Sequence, residues 1–555
     1  MNIITYKKLS SLEKVFLNHE PVATCGKINA IFKNETYSYQ IALYTEHTDG
    51  NGINFPFVSV KAEGNFAGIV KIKEVGNVPS QLPVYAGSDT DYLSHSPGLF
   101  PDPLFDLVEN KIKLVPRQWR SLWVELTPDK DAPAGMYTTV IRLLAEDGTE
   151  LACVEESIEV LDAALPKQEL IHTEWMHFDC IGSYYGVDML SEEHWSLMER
   201  YIKTAAEHGV NMILTPLFTP PLDTKVGGER PTVQLVDVFM INGVYSFKFE
   251  KLKRFVEMCQ KLGVEYFEMS HLFTQWGAFH APKIIANVNG TEKKIFGWDT
   301  EAAGQEYGTF LDAFLPSLTK TLKELNISSK CWFHVSDEPS SAHLDSYKAA
   351  QQLVYKHLKN FKIIDALSDF EFYKKGLVKN PIPASDHIEP FLEAQVKDLW
   401  VYYCCCQYRH VSNRFMSMPS RRNRILSVQL FKYDITGFLH WGFNFWNSQY
   451  SIKAINPYAV TDAGSAYPSG DPFLVYPGDN GKPIESIRIK VLMEALYDLR
   501  AMKLLESLTS KEFVMNIIEG TLQTPITFSD YPRCDEYIVV TRNLINEEIK
   551  KRLIK

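Results

Sequence analysis

From residue 170 to residue 508 the chain repeats one rhythm, a short apolar run that reads as a buried strand followed by a helical pattern. The runs are LIHTEWMH (170–177), VNMILTPL (210–217), VEYFEMSHL (264–272), KCWFHVSD (330–337), FKIIDALSD (361–369), PIPASDHI (381–388), LWVYYCC (399–405) and ITGFLHWGFNFW (435–446). Helical patterns such as EEHWSLMERYIKTAAEHG and FEKLKRFVEMCQKLG lie between them, each ending in the glycine preferred just past a helix. Eight such pairs predict parallel strands closed into a (β/α)8, TIM-type barrel. An open doubly wound sheet would place a Gly-rich phosphate loop after the first strand, and none is there.

Residues 1–165 follow another pattern. YSYQIALYT, INFPFVSVKA, SLWVELTP and MYTTVIRLLAEDGTE are alternating or β-branched runs broken by turns such as DAPAG and EDGTE. They predict an antiparallel β-sandwich, so the fold class is α/β: sandwich first, barrel second. LDAALPKQ (161–168) is the linker, 166–508 the catalytic barrel ending in the helix IESIRIKVLMEALYDLRAMKLLESL, and 509–555 an extension packed on the barrel or the sandwich.

A formal net charge of -11 argues against nucleic acid and anionic membranes, which demand a basic face. A neutral or weakly polar substrate fits better, and 12% aromatic residues suit sugar faces as well as core packing. No run of 18 apolar residues occurs, and MNIITYKKLSSLEKVF has no apolar signal core, so the expected location is cytoplasmic. None of the nine cysteines falls in a C-x-x-C array. Cys404, Cys405 and Cys406, read as strand, would point to alternate faces and not pair. All nine are expected as free thiols, with no metal and no cofactor.

Barrel enzymes build their sites on the loops after the strands. Here the segments 218–245, 273–300 and 447–482 are long and rich in Pro, Gly and aromatics. Strand four ends CWFHVSDEPSSAH. By alternation Cys331, Phe333 and Val335 pack outward, while Trp332, His334, Ser336 and Glu338 point into the barrel. Asp337 joins Glu338 at a ligand only if the strand ends or bulges near Ser336–Asp337. The bland alternative is that D-E-P-S-S merely opens helix four, where carboxylates suit the dipole.

Two glycosidase mechanisms use such a Glu. One pairs an acid/base with a protein nucleophile roughly 5 to 5.5 Å away. The strand-seven and strand-eight ends offer no carboxylate, leaving Asp386 and Glu389 near strand six. The other borrows the nucleophile from the substrate: a 2-acetamido oxygen attacks the anomeric carbon, and two neighbouring carboxylates suffice. Asp337 and Glu338 supply that pair.

The barrel resembles glycoside hydrolase family 123, the β-N-acetylgalactosaminidases. The resemblance rests on the strand-four Asp-Glu-Pro (337–339), on LWVYYCC (399–405) and on RRNRILSVQLFKYDITGFLHWGFNFW (421–446). It implies a retaining exo-enzyme that releases terminal β-linked N-acetylgalactosamine (GalNAc) from glycans, including glycolipid oligosaccharides. Asp337 would polarise the acetamide as the oxazolinium forms, and Glu338 would protonate the leaving oxygen and then activate water. Rival readings are a hydrolase with a carboxylate nucleophile and a non-catalytic carbohydrate-binding protein.

Further candidates come from the strand ends. Trp175, His177 and Asp179 close strand one, while His271, Trp276 and His280 lie at strand three and its loop. Tyr403 on strand seven is a donor for the acetamide oxygen. On strand eight, parity turns Asn444 and Trp446 inward with His440 and Trp441 outward unless a bulge intervenes, and an aromatic floor is expected from this group. His334, one layer below Glu338, is a supporting residue.

Overall fold

The structure is a computed structural model that describes residues 4–46 and 56–553. Residues 53–55 of the INFPFVSVKA run and residues 1–3 lie outside the described residues. The N-terminal part holds two five-stranded sheets. In the first, Tyr37–Thr45 and Arg120–Pro128 are central and every pairing is antiparallel. The second is antiparallel except where Ala30–Ile31 runs parallel to Glu150–Val160. EDGTE forms the expected hairpin turn, with Ala145 N–H donating to Thr149 O and Gly148 at φ +84. Ile41, Leu122 and Val124 of the first sheet share one buried apolar cluster with Val58, Ile141 and Leu143 of the second.

Each of the eight apolar runs then delivers one parallel strand: Ile171–Glu174, Met212–Thr215, Tyr266–Met269, Cys331–Phe333, Lys362–Ala366, Asn380–Ile382, Trp400–Tyr402 and Gly437–His440. They are hydrogen-bonded in sequence order, and the last pairs with the first as well as with the seventh. The ring is nearly closed. Between strands six and seven only the bridge Ala384–Tyr402 and its flanking bonds remain. Pro381 and Pro383 each lack the N–H a full ladder needs, which explains the thin seam.

The covering helices differ in length. Glu192–Glu207, Glu250–Lys261, Gln305–Glu324, Leu344–Leu358 and Ile487–Leu508 are long, but the fifth and sixth crossings carry only the five-residue Phe370–Lys374 and Glu389–Glu393. Strand eight is shorter than its run predicts, since the chain leaves the sheet after His440. Trp175, Met212, Leu214, Trp332, Ile364, Ile382, Trp400 and Leu439 fill the lumen as a separate cluster, while Ile213, Phe267, Phe333, Val401 and Phe438 face the helices. No helix among the described residues is long and apolar enough to cross a membrane.

Buried ion pairs lock the parts together. Asp102, in the strand Gly98–Asp106, accepts from Arg488 Nε at 2.8 Å and Nη2 at 2.9 Å, and from the Tyr476 hydroxyl at 2.5 Å. The C-terminal helix Asp535–Leu553 inserts Arg542 between Glu35 and Asp498, touching both the sheets and the last barrel helix. Removing one member of a buried pair strands the other's charge, at a cost of about 3–5 kcal/mol. Asp102→Ala is therefore expected to lower the urea midpoint by that order, and Asp102→Leu with Arg488→Met to recover most of it. Equal loss in the single and double variants would contradict this account.

Candidate active site

Strand four stops at Phe333, and the following residues are stapled to their neighbours. Ser336 Oγ donates to Thr274 O at 2.9 Å, Asp337 O accepts from Trp276 N at 2.9 Å, and Glu338 N donates to Ala366 O at 3.1 Å. Held between the loop after strand three and the end of strand five, Glu338 adopts φ +43. That left-handed conformation costs a non-glycine residue on the order of 1–2 kcal/mol. It also breaks the alternation, so consecutive carboxylates face the same space. Asp337 and Glu338 both line one cleft of about 600 Å³, its open mouth included.

Five aromatic side chains line the cleft with them: Trp175, Trp276, Tyr402, Trp441 and Tyr467. Asp223 and Gln275 add polar groups, and Cys404 and Cys405 add thiols. Tyr402 donates its hydroxyl to Glu338 Oε1 at 2.6 Å. Trp441 is fixed by its indole N–H to Asp471 Oδ2 at 2.9 Å and by edge contacts to His177 and Tyr467. Next to it Gly442 allows the backbone a close approach, since a Cβ there would sit 2.6 Å from Asp471 O. Asp223 accepts from the Tyr467 hydroxyl at 2.8 Å and from Tyr450 N at 3.2 Å.

Beneath the carboxylates lies a fully buried charged layer. His334 binds Glu268 Oε1 through Nε2 at 2.5 Å and Asp365 Oδ1 through Nδ1 at 3.3 Å. Burial opposes its charge, but the hydrogen bonds and charges of Asp365 and Glu268 prevail and raise its pKa to about 9. His271 stacks on it at 4.2 Å and is held neutral by burial and by the His334 charge. Glu268 also accepts from Trp175 Nε1 at 2.7 Å, which orients a ring of the cleft. Burial and the Glu338 charge push Asp337 well above the carboxylate range, although His334 opposes this. Glu338 stands in the concavity, reached by water through the mouth but crowded by protein. Desolvation raises its proton affinity, and the Tyr402 hydroxyl pulls it back.

Several residues expected at the ligand lie elsewhere. Tyr403 faces outward, against Phe438, His440 and Arg414, because strand-seven parity turns Tyr402 and Cys404 inward instead. Asn444 and Trp446 follow the chain out of the barrel: Asn444 bonds the backbone of His177, and Trp446 packs on Tyr184 and Tyr201. Trp441, counted in the expected aromatic floor although parity alone would turn it outward, lines the cleft. His177 and Asp179 form a buried cluster with Arg230, whose Nε and Nη2 reach Asp179 at 2.9 and 2.6 Å and whose Nη2 reaches His177 at 3.0 Å. They back the cleft wall without lining it. His271, His280 and His440 are likewise off the lining, as are Asp386, which bonds Gln407 and His387, and Glu389. Tyr402, Asp223, Gln275 and Tyr467 went unread. Tyr402 lies one register step from the expected Tyr403, and nothing local in the long loops marks the other three.

The cysteine expectation needs one correction. All nine thiols are free, but the strand ends at Tyr402 and the chain turns at Cys405–Cys406, so the sulfurs of Cys404, Cys405 and Cys406 converge to within 4.8 Å of one another.

The parallel barrel with this cleft at its mouth coincides with a glycosidase family match, and this chain is a glycoside hydrolase. It belongs to family 123, whose model, Glycoside hydrolase 123, catalytic domain, matches residues 175–505. A solved family 123 glycoside hydrolase from Clostridium perfringens, described in terms of glycolipid glycan hydrolysis, superposes with a TM-score of 0.75 over 100% of this chain and 99% of that one. At 15% identity that likeness is one of fold. A family 5 mannosidase from Rhizomucor miehei has a TM-score of 0.30 at 11% identity, over 62% of this chain and 95% of its own. A Pyrococcus furiosus chitinase domain has a TM-score of 0.30 at 11% identity, over 60% and 96%. Both are too slight to bear on the site. No curated protein sequence matches the chain.

The charged layer has a measurable consequence. His334 holds its proton more tightly folded, at about 9, than its ordinary 6.5. Its contribution is complete below about pH 6.5 and is lost as pH rises through 9, a loss of about 3 kcal/mol. Nitrogen NMR of labelled histidine is expected to find His334 doubly protonated at pH 7.5, and urea midpoints to fall between pH 6.5 and 9. A neutral His334 at pH 7.5 would overturn this reading.

Proposed function

We propose that the chain is a retaining exo-β-N-acetylgalactosaminidase that cleaves terminal β-linked GalNAc from glycans such as glycolipid oligosaccharides. The reading takes the two N-terminal sheets as a sandwich and the eight strands as a (β/α)8 barrel. The observation that carries the mechanism is the left-handed turn at Glu338, which puts both carboxylates into one cleft. The galacto preference rests on membership of the family, and the glycolipid class is supported by the description of the Clostridium perfringens enzyme.

Before substrate binds, the pair holds a proton more readily on Asp337, because burial and the Glu338 charge raise its proton affinity while Tyr402 donates to Glu338. A seated substrate reverses this. The acetamide N–H is a donor that favours charge on Asp337, and the glycosidic oxygen is an acceptor that favours a proton on Glu338. The acetamide oxygen then attacks C1 while Glu338 protonates the departing oxygen. Asp337 stabilises the oxazolinium. Glu338, now a carboxylate, takes a proton from the water that opens the ring at C1, so two inversions give net retention. Trp175 and Trp441 offer ring faces to the sugar, and Asp223 and Gln275 offer hydrogen bonds to its hydroxyls.

A second reading is favoured by Asp223, a third carboxylate on the cleft lining, which could serve as a protein nucleophile. Against it, both its oxygens are already engaged by Tyr467 and Tyr450. The two readings separate on aryl glycosides. Glu338→Gln is expected to slow poor leaving groups roughly 100- to 10,000-fold and activated ones less. Asp337→Asn is expected to slow both kinds. A glycosyl azide of inverted configuration from Asp223→Asn, or full activity on sugars lacking the acetamide, would defeat the substrate-assisted route.

Tyr402→Phe removes the hydrogen bond that stabilises ionised Glu338, so Glu338 keeps its proton to higher pH. The basic limb of the kcat/KM profile should move upward, and a limb that stays or moves down would contradict Tyr402's assigned part.

A further inference from the structure

We infer that Cys404, Cys405 and Cys406 form a three-thiolate site for a soft, thiophilic metal cation on the wall of the cleft, and that its occupancy inhibits hydrolysis. The inference goes beyond the proposed glycosidase chemistry, and its binding test does not depend on that chemistry.

The three sulfurs lie within 4.8 Å of one another, with Cys405 and Cys406 at 3.8 Å. Metal–sulfur bonds of about 2.3 Å at tetrahedral to trigonal angles hold sulfurs roughly 3.8–4.0 Å apart, so one pair is already at ligand spacing. The turn is built to keep them together. Gln407 Oε1 accepts from Cys404 N at 2.9 Å and from its thiol at 3.2 Å, and Asn413 Nδ2 donates to both Cys404 O and Gln407 O at 2.9 Å. Three thiols and no carboxylate in the cluster select soft cations such as Cu(I), Zn(II) or Cd(II) over Mg(II) or Ca(II).

Access agrees with this. Cys406 is exposed and Cys405 half-buried, so an ion can enter from solvent. Binding is not a redox step: each thiol still protonated releases its proton to solvent as its sulfur bonds the cation. Cys404 and Cys405 line the same cleft as Glu338, so drawing their sulfurs onto an ion reshapes the wall beside the acid/base.

The test uses the reduced, full-length protein and Cd(II) as probe. Wild type is expected to take up one equivalent with a thiolate-to-metal charge-transfer band in the ultraviolet, and to lose aryl-glycosidase activity in step with that band. Cys406 is off the cleft lining, so Cys406→Ser should keep the basal activity. It should weaken Cd(II) binding by at least the roughly 10- to 100-fold that loss of even an outer partner of a metal ligand costs. It should also become resistant to inhibition. Cys153→Ser and Cys534→Ser, which remove the other exposed thiols, should behave as wild type. Unchanged Cd(II) binding in Cys406→Ser, loss of the band in Cys153→Ser or Cys534→Ser, or full activity in cadmium-loaded wild type would each overturn the inference. Because the band is read without substrate, failure of the glycosidase reading would leave the binding result standing.

Discussion

The cleft depends on one buried cation, the His334 imidazolium clamped between Glu268 and Asp365. Two carboxylates buried with no cation would be prohibitively costly, and a lone buried imidazolium equally so. Together they tie strand four to strands three and five, and Glu268 extends the tie to strand one through Thr173 and Trp175. Asp365 also accepts from the backbone of Val335 and Ser336 and from the Tyr347 hydroxyl, which fixes where strand four ends. Asp337 stands one step above this layer, where the positive charge below opposes the burial that raises its pKa.

A second network holds the opposite wall. Arg414 grips Glu174 through two bonds of 2.6 and 2.7 Å, and burial opposed by that arginine leaves the Glu174 pKa at about 2. His440 lies between Glu174 and Asp471 and accepts from Gly442 N at 2.9 Å, and Asp471 anchors Trp441. Each network sets one cation among its carboxylates, His334 in the first and Arg414 in the second, and each presents one aromatic ring, Trp175 or Trp441, to the cleft. Among the described residues only Asp337, Glu338 and Asp223 bring carboxylates to the lining.

How much of this was legible in the sequence follows from what sets each feature. Barrel strands are specified by local apolar runs, and each of the eight runs yields one strand, the sixth starting one residue early at Asn380. Parity on strand four reads correctly as far as Val335, two residues past the last ladder pair at Phe333. It fails beyond His440 because the chain leaves the sheet where Gly442 meets Asp471, a tertiary approach that no periodicity encodes. The same limit hid the convergence of Cys404–Cys406, which depends on Gln407 and Asn413 closing a turn. Tyr402 against Tyr403 was a matter of one register step on a three-residue strand, where parity has little to anchor it. Asp223, Gln275 and Tyr467 come from long loops, whose path is fixed only by what they pack on.

That last point gives the N-terminal sheets a part in the site. Among the described residues none before Trp175 lines the cleft, yet the end of the strand Gly68–Ser80 and the segment after it hold the loop that follows strand eight. Ser80 Oγ bonds Ser469 Oγ at 2.6 Å, Leu82 N donates to Asp462 at 3.1 Å, Ser469 N donates to Leu82 O at 2.8 Å, and the Tyr85 hydroxyl caps Ala466 O at 2.6 Å. Between these anchors the loop carries Tyr467 into the cleft, where it grips Asp223. A loop of this length without such anchors would sample many paths, and ordering it would cost backbone entropy of about 1 kcal/mol or more per residue. The sheets meet that cost once, in the fold, so the substrate need not. The Asp102–Arg488 pair, which pins the same sheet to the last barrel helix, keeps the anchors in register with the barrel they serve.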